Sequence, residues 1–303
     1  MDKIPEIRKI LKKDFDFESV YSSVKRSAAY EVSDKKIFED IVLESYSLMD
    51  NALKNYSYGS YGKSNINTGK VTQFLGQFAG TGSEVGAHFT LNQDLLIERE
   101  TNALPLGFRT PQNRDYIQSI QSKQIDSTTQ ITLPDEQSLE DYKSKYLPSN
   151  GQHCFIKLHG SLGWLSHDGR SQLILGTNKL EDITKEPLLK WYFDIFKEAL
   201  SRDNVRLFVI GYSFRDAHVN DIILKAIDEH KLEIYIISSE QPENFKDRME
   251  GKKASGNPYE VLDTLKIWDA VRSYFPYSLR DIFPGNATET GVFLDIQKNM
   301  SKA

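Results

Sequence analysis

The predicted architecture rests on one short run, CFIKLHGS at positions 154–161. Its first residues place apolar side chains on both alternating faces, as expected of a strand that is buried inside a parallel sheet. The strand ends in a polar turn at His159 and Gly160. We therefore predict a buried parallel strand that delivers a histidine to one edge of its sheet.

Three more runs have the length and composition of buried strands, and helical patterns separate the later ones. The strands are predicted at 86–91, 205–210 and 232–237, and the helices at 187–200 and 216–230. This alternation favours right-handed crossovers and an α/β fold with a Rossmann-like doubly wound parallel sheet. Ligands of such sheets bind beyond the carboxyl ends of the strands, so we expect the polar turns there to share one site.

The remaining segments are predicted to be helical or irregular. Residues 4–56 have a helical pattern, 55–69 resemble a loop, and 260–274 again have helical patterns. The expected domains are a helical N-terminal region at 1–68, a core at 69–240 with a polar insertion at 99–150, and a helical C-terminal extension at 241–303.

Composition excludes several classes of protein. The net charge is −5 and the basic pairs are scattered, which disfavours nucleic acid as a partner. No apolar run approaches the ~18 residues of a membrane span, and the charged N-terminus is unlike a secretory signal, so a cytoplasmic protein is expected. With Cys154 as the only cysteine, neither an intrachain disulfide nor a zinc site of several thiolates can form. The spacing of the histidines fits no standard metal site, and we expect no metal.

Three motifs then suggest a family. TLNQD at 90–94, KLHGSL at 157–162 and FVIGYSFRDAHVN at 208–220 resemble, in order, the strand-end motifs of the sirtuins and their prokaryotic sirtuin-like relatives. The resemblance implies a Rossmann-like core, NAD as the substrate and cleavage of the bond between nicotinamide and ribose. The prokaryotic branch includes NAD hydrolases that deplete the cofactor in anti-phage defence.

The resemblance also implies roles for individual residues. His159 would activate a ribose hydroxyl or an attacking water, and Asn92 would hold the ribose or that water. Histidine suits the role of a base because its unperturbed pKa is about 6.5. The implied contacts to the cofactor are made by Thr90, Asp94, Gly160, Gly211, Ser213 and Ser238.

Structural readings of the same residues stay open. His159 could be a hydrogen-bonded structural histidine at a strand end. Asn92 and Asp94 could form only an Asx-type turn. Ser213 and Asp216 have the spacing of a capping box, and for Asp216 that reading is preferred.

Two departures from the family pattern shape the functional prediction. The insertion at 99–150 lacks the four cysteines of the zinc module of sirtuin deacylases, which favours the zinc-free NAD-hydrolysing branch. The opening strand and its Gly-Ala-Gly-Xaa-Ser loop, which would hold the diphosphate, have no counterpart upstream of Asn92. The nearest sequence, Gly80 to Ser83, is expected at the opposite end of the sheet.

Three functions therefore stay open: an NAD hydrolase, a catalytically silent subunit that binds a nucleotide or a partner protein, and, as a poorer fit, cleavage of another nucleoside or nucleotide. Because a sheet without its first strand would have an open edge, we expect either a homo-oligomer or partner chain, or N-terminal helices that cover the gap. NAD binding should then be weak.

Overall fold

The computed structural model describes residues 5–13, 17–57, 66–78, 86–108, 111–143, 153–249, 264–285 and 290–301. Within these ranges the strands are β1 (Gly86–Thr90), β2 (Ile131–Thr132), β3 (His153–Lys157), β4 (Gly160–Leu165), β5 (Ser171–Leu173), β6 (Arg206–Ile210), β7 (Glu233–Ile237) and β8 (Val271–Phe275). The α-helices are α1 (Pro5–Lys13), α2 (Phe17–Arg26), α3 (Val32–Ser57), α4 (Thr68–Gly76), α5 (Leu96–Thr101), α6 (Arg114–Gln121), α7 (Glu136–Lys143), α8 (Lys179–Lys185), α9 (Pro187–Leu200), α10 (Ala217–His230), α11 (Pro242–Met249), α12 (Leu265–Asp269), α13 (Leu279–Ile282) and α14 (Gly291–Ser301). A 3-10 turn, Pro111–Asn113, precedes α6.

The chain divides into two compact units. The first comprises residues 1–59 and 72–193, and the second comprises residues 60–71 and 194–303.

In the first unit, β1 and β3 pair in parallel, with Gly86 opposite His153 and Thr90 opposite Lys157. A second sheet has the order β2-β4-β5, in which β4 is parallel to β2 and antiparallel to β5. The fully buried ring of Trp164 on β4 stacks on Phe108 with the centroids 4.9 Å apart. Burial also raises the pKa of the Cys154 thiol on β3 to about 12.

In the second unit, β6, β7 and β8 form a parallel sheet in that order. The helix α10 connects β6 to β7, as a crossover between parallel strands requires. The central strand β7 is the most deeply buried of the three, and Ile234 and Ile236 are fully enclosed.

The predicted fold class is confirmed, because the chain is a mixed α/β protein with parallel sheets and many helices, consistent with a Rossmann-like fold. The strand β1 was expected beside β3 and is found there. The strand β6 was expected as their third neighbour, but it pairs with β7 in the second unit. Predicted helices at the N-terminus, at 187–200 and at 216–230 correspond to α1–α3, α9 and α10.

The helical prediction for 260–274 was correct only in part. Residues 265–269 form α12, but residues 271–275 form β8. Val271, Tyr274 and Phe275 have the spacing of a helix face, which explains the helical pattern of the sequence there. The polar insertion predicted at 99–150 contributes β2 to a sheet and buries Phe108 and Ile120. The predicted turn from Gly80 to Ser83 lies outside the described residues. Among the described helices, none has the length and apolar character needed to cross a membrane.

Candidate functional site

The parallel register of β1 and β3 places two predicted site residues at the same edge of one sheet. Thr90 is opposite Lys157, and the amide of Leu158 donates to the carbonyl of Thr90 at 2.9 Å. Asn92 and His159 therefore each lie two residues beyond the last registered pair. Since paired strands are about 4.8 Å apart, the turns that carry these two residues are neighbours.

The turn after β1 is held by its own side chains. Thr90 Oγ1 accepts from the amide of Asn92 at 3.0 Å, and Asp94 Oδ1 accepts from the amide of Leu96 at 3.0 Å. Asp94 thus forms the Asx-type turn that was one of the two readings of this residue. Asn92 is exposed at the edge of the sheet.

His159 is buried, with only 3% of its surface exposed. The sequence predicted this histidine in a polar turn at the edge of the sheet, but the residue is buried there, where β4 begins at the next position. Its carbonyl accepts from the Gln93 side chain and from the Ile174 amide, both at 3.1 Å. The backbone of this histidine is therefore fixed from two sides.

Gln93 connects the two turns, a role that the sequence did not reveal. Its amide nitrogen donates to the carbonyls of His159 and Ile174, the latter at 2.7 Å. The backbone carbonyl of Gln93 accepts from the Leu162 amide at 3.0 Å and from the Ser161 hydroxyl at 3.4 Å. The Asn92 turn and the His159 turn are thus joined by one buried amide side chain.

Gly160 has a structural reason to be glycine. Its φ is +71°, and a Cβ placed there would lie 1.8 Å from the carbonyl oxygen of Gln172 on β5. The close pairing of β4 with β5 therefore requires glycine at this position, whatever the ligand.

The other predicted cofactor contacts lie in the second unit, at the carboxyl ends of β6 and β7. Gly211 follows β6 with a φ of +65°, and no atom lies within 4 Å of the position of its absent Cβ in the described structure. Ser238 follows β7, and its hydroxyl accepts from the amide of Glu240 at 3.2 Å. The backbone at Gly211 is therefore open to close approach.

Arg248 links the two turns of this second unit. It donates to the carbonyl of Ser213 at 2.7 Å and forms an ion pair with Glu240 at 2.9 Å. Its guanidinium also lies over the ring of Phe245, 4.4 Å from the centroid. The structure thus brings the turns of Ser213 and Glu240 together around a partly exposed cation that the motifs did not predict.

The capping box predicted for Ser213 and Asp216 was wrong. The helix α10 begins at Ala217, so Asp216 is itself the N-cap residue, and its side chain makes no capping bond there. The buried Asn220 stabilises this turn instead, because it donates to the carbonyl of Phe214 at 2.7 Å and accepts from the Tyr212 hydroxyl at 3.0 Å. Phe214 needs this support because its φ is +56°.

The first unit also has a partly open cavity of about 440 Å³ between α2, α3 and the β4–β5 hairpin. Tyr21, Glu39 and Glu186 are among its lining residues, which include both basic and acidic side chains. Burial raises the pKa of Glu186 to about 7. None of the predicted site residues lines this cavity.

Comparison with known protein families gives a match to the central part of the chain. Residues 87–256 match the SIR2-like domain family, a segment that is more than half of the 303 residues and contains all three motifs. A search of curated proteins returned no significant match.

Proposed function

The chain belongs to the SIR2-like domain family, and on that premise we propose that it binds NAD and hydrolyses the bond between nicotinamide and ribose. The family supports an NAD-related function in general, and the specific reaction is our proposal. The observation that supports it best is the register of β1 and β3, which aligns the turns of Asn92 and His159 at one sheet edge.

The reaction needs a base and an oriented nucleophile. In the proposed step, a water oxygen attacks C1′ of the ribose as the bond to nicotinamide breaks, and the electron pair of that bond leaves on the nicotinamide nitrogen. A neutral His159 takes the proton of the attacking water, and the exposed amide of Asn92 orients that water or the ribose. Burial of His159 restricts competing water around the base.

The second unit offers groups suited to a nucleotide. We propose that Arg248 and the turns of Ser213 and Ser238 bind the phosphates or the adenosine, and that the open backbone at Gly211 permits close approach. Hydrolysis without zinc fits a chain whose only cysteine is Cys154. A role in anti-phage defence would follow if such cleavage depleted NAD in cells.

One observation favours a second candidate, a catalytically silent subunit that binds a nucleotide or a partner chain. Gly160 and Asp94 are both accounted for by the fold, since one allows strands to pair closely and the other forms a turn. Neither residue therefore requires a ligand. Association with a second copy or another chain stays a prediction, which light scattering tests.

The deciding experiment incubates the purified protein with NAD and measures nicotinamide by chromatography. We expect release in the wild type and its loss in Asn92→Ala and His159→Gln. The control is His167→Ala, because His167 is exposed in the turn between β4 and β5. Retained cleavage in either site variant would move the chemistry elsewhere, and NAD binding without cleavage in the wild type would support the silent subunit.

A further inference from the structure

Two buried ion pairs meet beside the turn that carries Asn92. Lys157 Nζ lies 2.8 Å from Glu98 Oε1, and Arg99 forms two bonds of 2.8 Å with the carboxylate of Asp50. The side chains of all four residues are no more than 1% exposed. Glu98 and Arg99 are adjacent on α5, the short helix that follows the turn.

Both pairs hold the backbone of this turn directly. Lys157, on β3, donates to the carbonyl of Asp94. Asp50, on α3, accepts from the amide of Leu95 at 2.8 Å. Two consecutive residues of the turn are thus fixed from two different elements, and Lys157 lies only two residues before His159.

Stability alone is a poor reason for this arrangement. Burying an ion pair costs desolvation that its own attraction often fails to repay, and apolar replacements are frequently neutral or stabilising. The cost is higher here because Glu98 Oε2 and Arg99 Nε have no hydrogen-bond partner among the described residues. The charged side chains form directional bonds to the Asp94 carbonyl and the Leu95 amide, which apolar side chains could not form.

We propose that Glu98 and Lys157, together with Asp50 and Arg99, are positioning residues that fix the Asn92 turn relative to His159 for the cleavage of NAD. This inference rests on the proposed function. Reacting groups must be held closely, and a misplacement of about 1 Å can cost about 10²-fold in rate. The network acts through the backbone, and its side chains are too buried to touch the substrate.

The test is the double variant Glu98→Met/Lys157→Met, which removes one ion pair without leaving a buried charge unpaired. We expect its urea unfolding midpoint to stay close to that of the wild type, because the pair is replaced by apolar side chains of similar length. Its kcat for nicotinamide release should fall at least about 10-fold with a smaller change in KM, as expected when the orientation of reacting groups is lost. The control is Glu181→Gln/Lys185→Gln, which removes an exposed pair on α8 and should change neither value.

A second readout does not depend on activity. Hydrogen exchange of the peptide that covers 90–96 should be faster in the double variant, because the Asp94 carbonyl has lost its donor. If the wild type releases no nicotinamide, the proposed function fails, and the exchange comparison still decides whether the pair fixes the turn. Unchanged exchange in a folded double variant, or an unchanged kcat, would overturn the inference.

A second variant covers the case in which the double variant does not fold. Glu98→Gln keeps an oxygen acceptor for the Lys157 ammonium, so the bond from Lys157 to Asp94 should persist, although loss of the counter-charge of a buried ammonium should lower the stability of the fold. We expect its kcat to stay within about 3-fold of the wild type and the exchange of 90–96 to stay slow. A 10-fold loss of kcat while the exchange of 90–96 stays slow would show that the Glu98–Lys157 pair does not act by fixing the position of the Asn92 turn.

Discussion

Replacing Gly160 by alanine separates a packing requirement from a role in ligand binding. A Cβ at Gly160 would lie 1.8 Å from the Gln172 carbonyl oxygen, whereas ordinary contact begins at 3.4 Å. One strand would therefore have to move by about 1.6 Å, the difference between those two distances, and both contacting groups belong to paired backbones.

The cost of this change can be worked out in two parts. An alanine in the left-handed region costs about 1–2 kcal/mol, and forced overpacking typically adds about 1–3 kcal/mol. We expect Gly160→Ala to lower the free energy of unfolding by about 2–5 kcal/mol, the sum of the two parts. The matched control is Gly169→Ala in the hairpin between β4 and β5, where φ is +81° and no atom lies within 4 Å of the Cβ position in the described structure. Gly169→Ala should lose only about 1–2 kcal/mol, the cost of an alanine in the left-handed region.

The assay is urea unfolding of both variants, monitored by the fluorescence of the buried Trp164 and the two other tryptophans of the sequence. Equal losses in the two variants would refute the steric reasoning and show that β5 moves away without cost. If the Gly160→Ala protein is stable but binds NAD more weakly, the result would instead support the contact between Gly160 and the cofactor that the family resemblance implied.

Three further predictions concern other parts of the chain. Burial raises the pKa of Glu186 to about 7, against 4.5 in the unfolded chain, so the folded state favours the protonated acid and the protein loses stability as the pH rises between these values. In urea unfolding, Glu186→Gln should therefore be up to about 3 kcal/mol more stable than the wild type at pH 8 and equally stable near pH 4. Asn220→Ala should cost about 2–3 kcal/mol in the same assay by leaving the Phe214 carbonyl and a tyrosine hydroxyl without their bonds, and a loss below 1 kcal/mol would contradict this. Ser213→Ala should leave calorimetric NAD affinity within about 3-fold if this turn binds the cofactor through its backbone, which the bond from Arg248 to the Ser213 carbonyl holds in place. A larger loss would assign the Ser213 hydroxyl to the ligand.

Local patterns were sufficient for the parts of the fold that depend on periodicity. The strand β3 was predicted because apolar residues fill both of its faces, and β1 because a compact β-prone run leads there into a polar turn. Their parallel pairing then followed from the turns at Asn92 and His159. The strand β4 was missed because Gly160 and Gly163 weaken a strand pattern. Glycine is needed at these two positions because the carbonyls of Gln172 and Thr129, from other parts of the chain, approach them too closely for a Cβ.

The connections within the site could not be predicted in the same way. Lys157 was read as one residue of an apolar strand, and nothing local marks its partner Glu98, which is 59 positions earlier. Gln93 likewise bonds to carbonyls 66 and 81 positions away. Such pairings are fixed only when the tertiary structure forms. The one available signal was the lysine itself, because a buried charge in an apolar strand requires a partner.

The burial of Cys154 has a practical consequence for work on this protein. Its thiol is 4% exposed and its pKa is raised to about 12, so almost none of it is in the reactive thiolate form at neutral pH. It is also the only cysteine in the sequence. The native chain therefore already behaves as a thiol-free background, and a cysteine introduced at any exposed position can be labelled with a maleimide fluorophore or spin probe without first mutating the natural one.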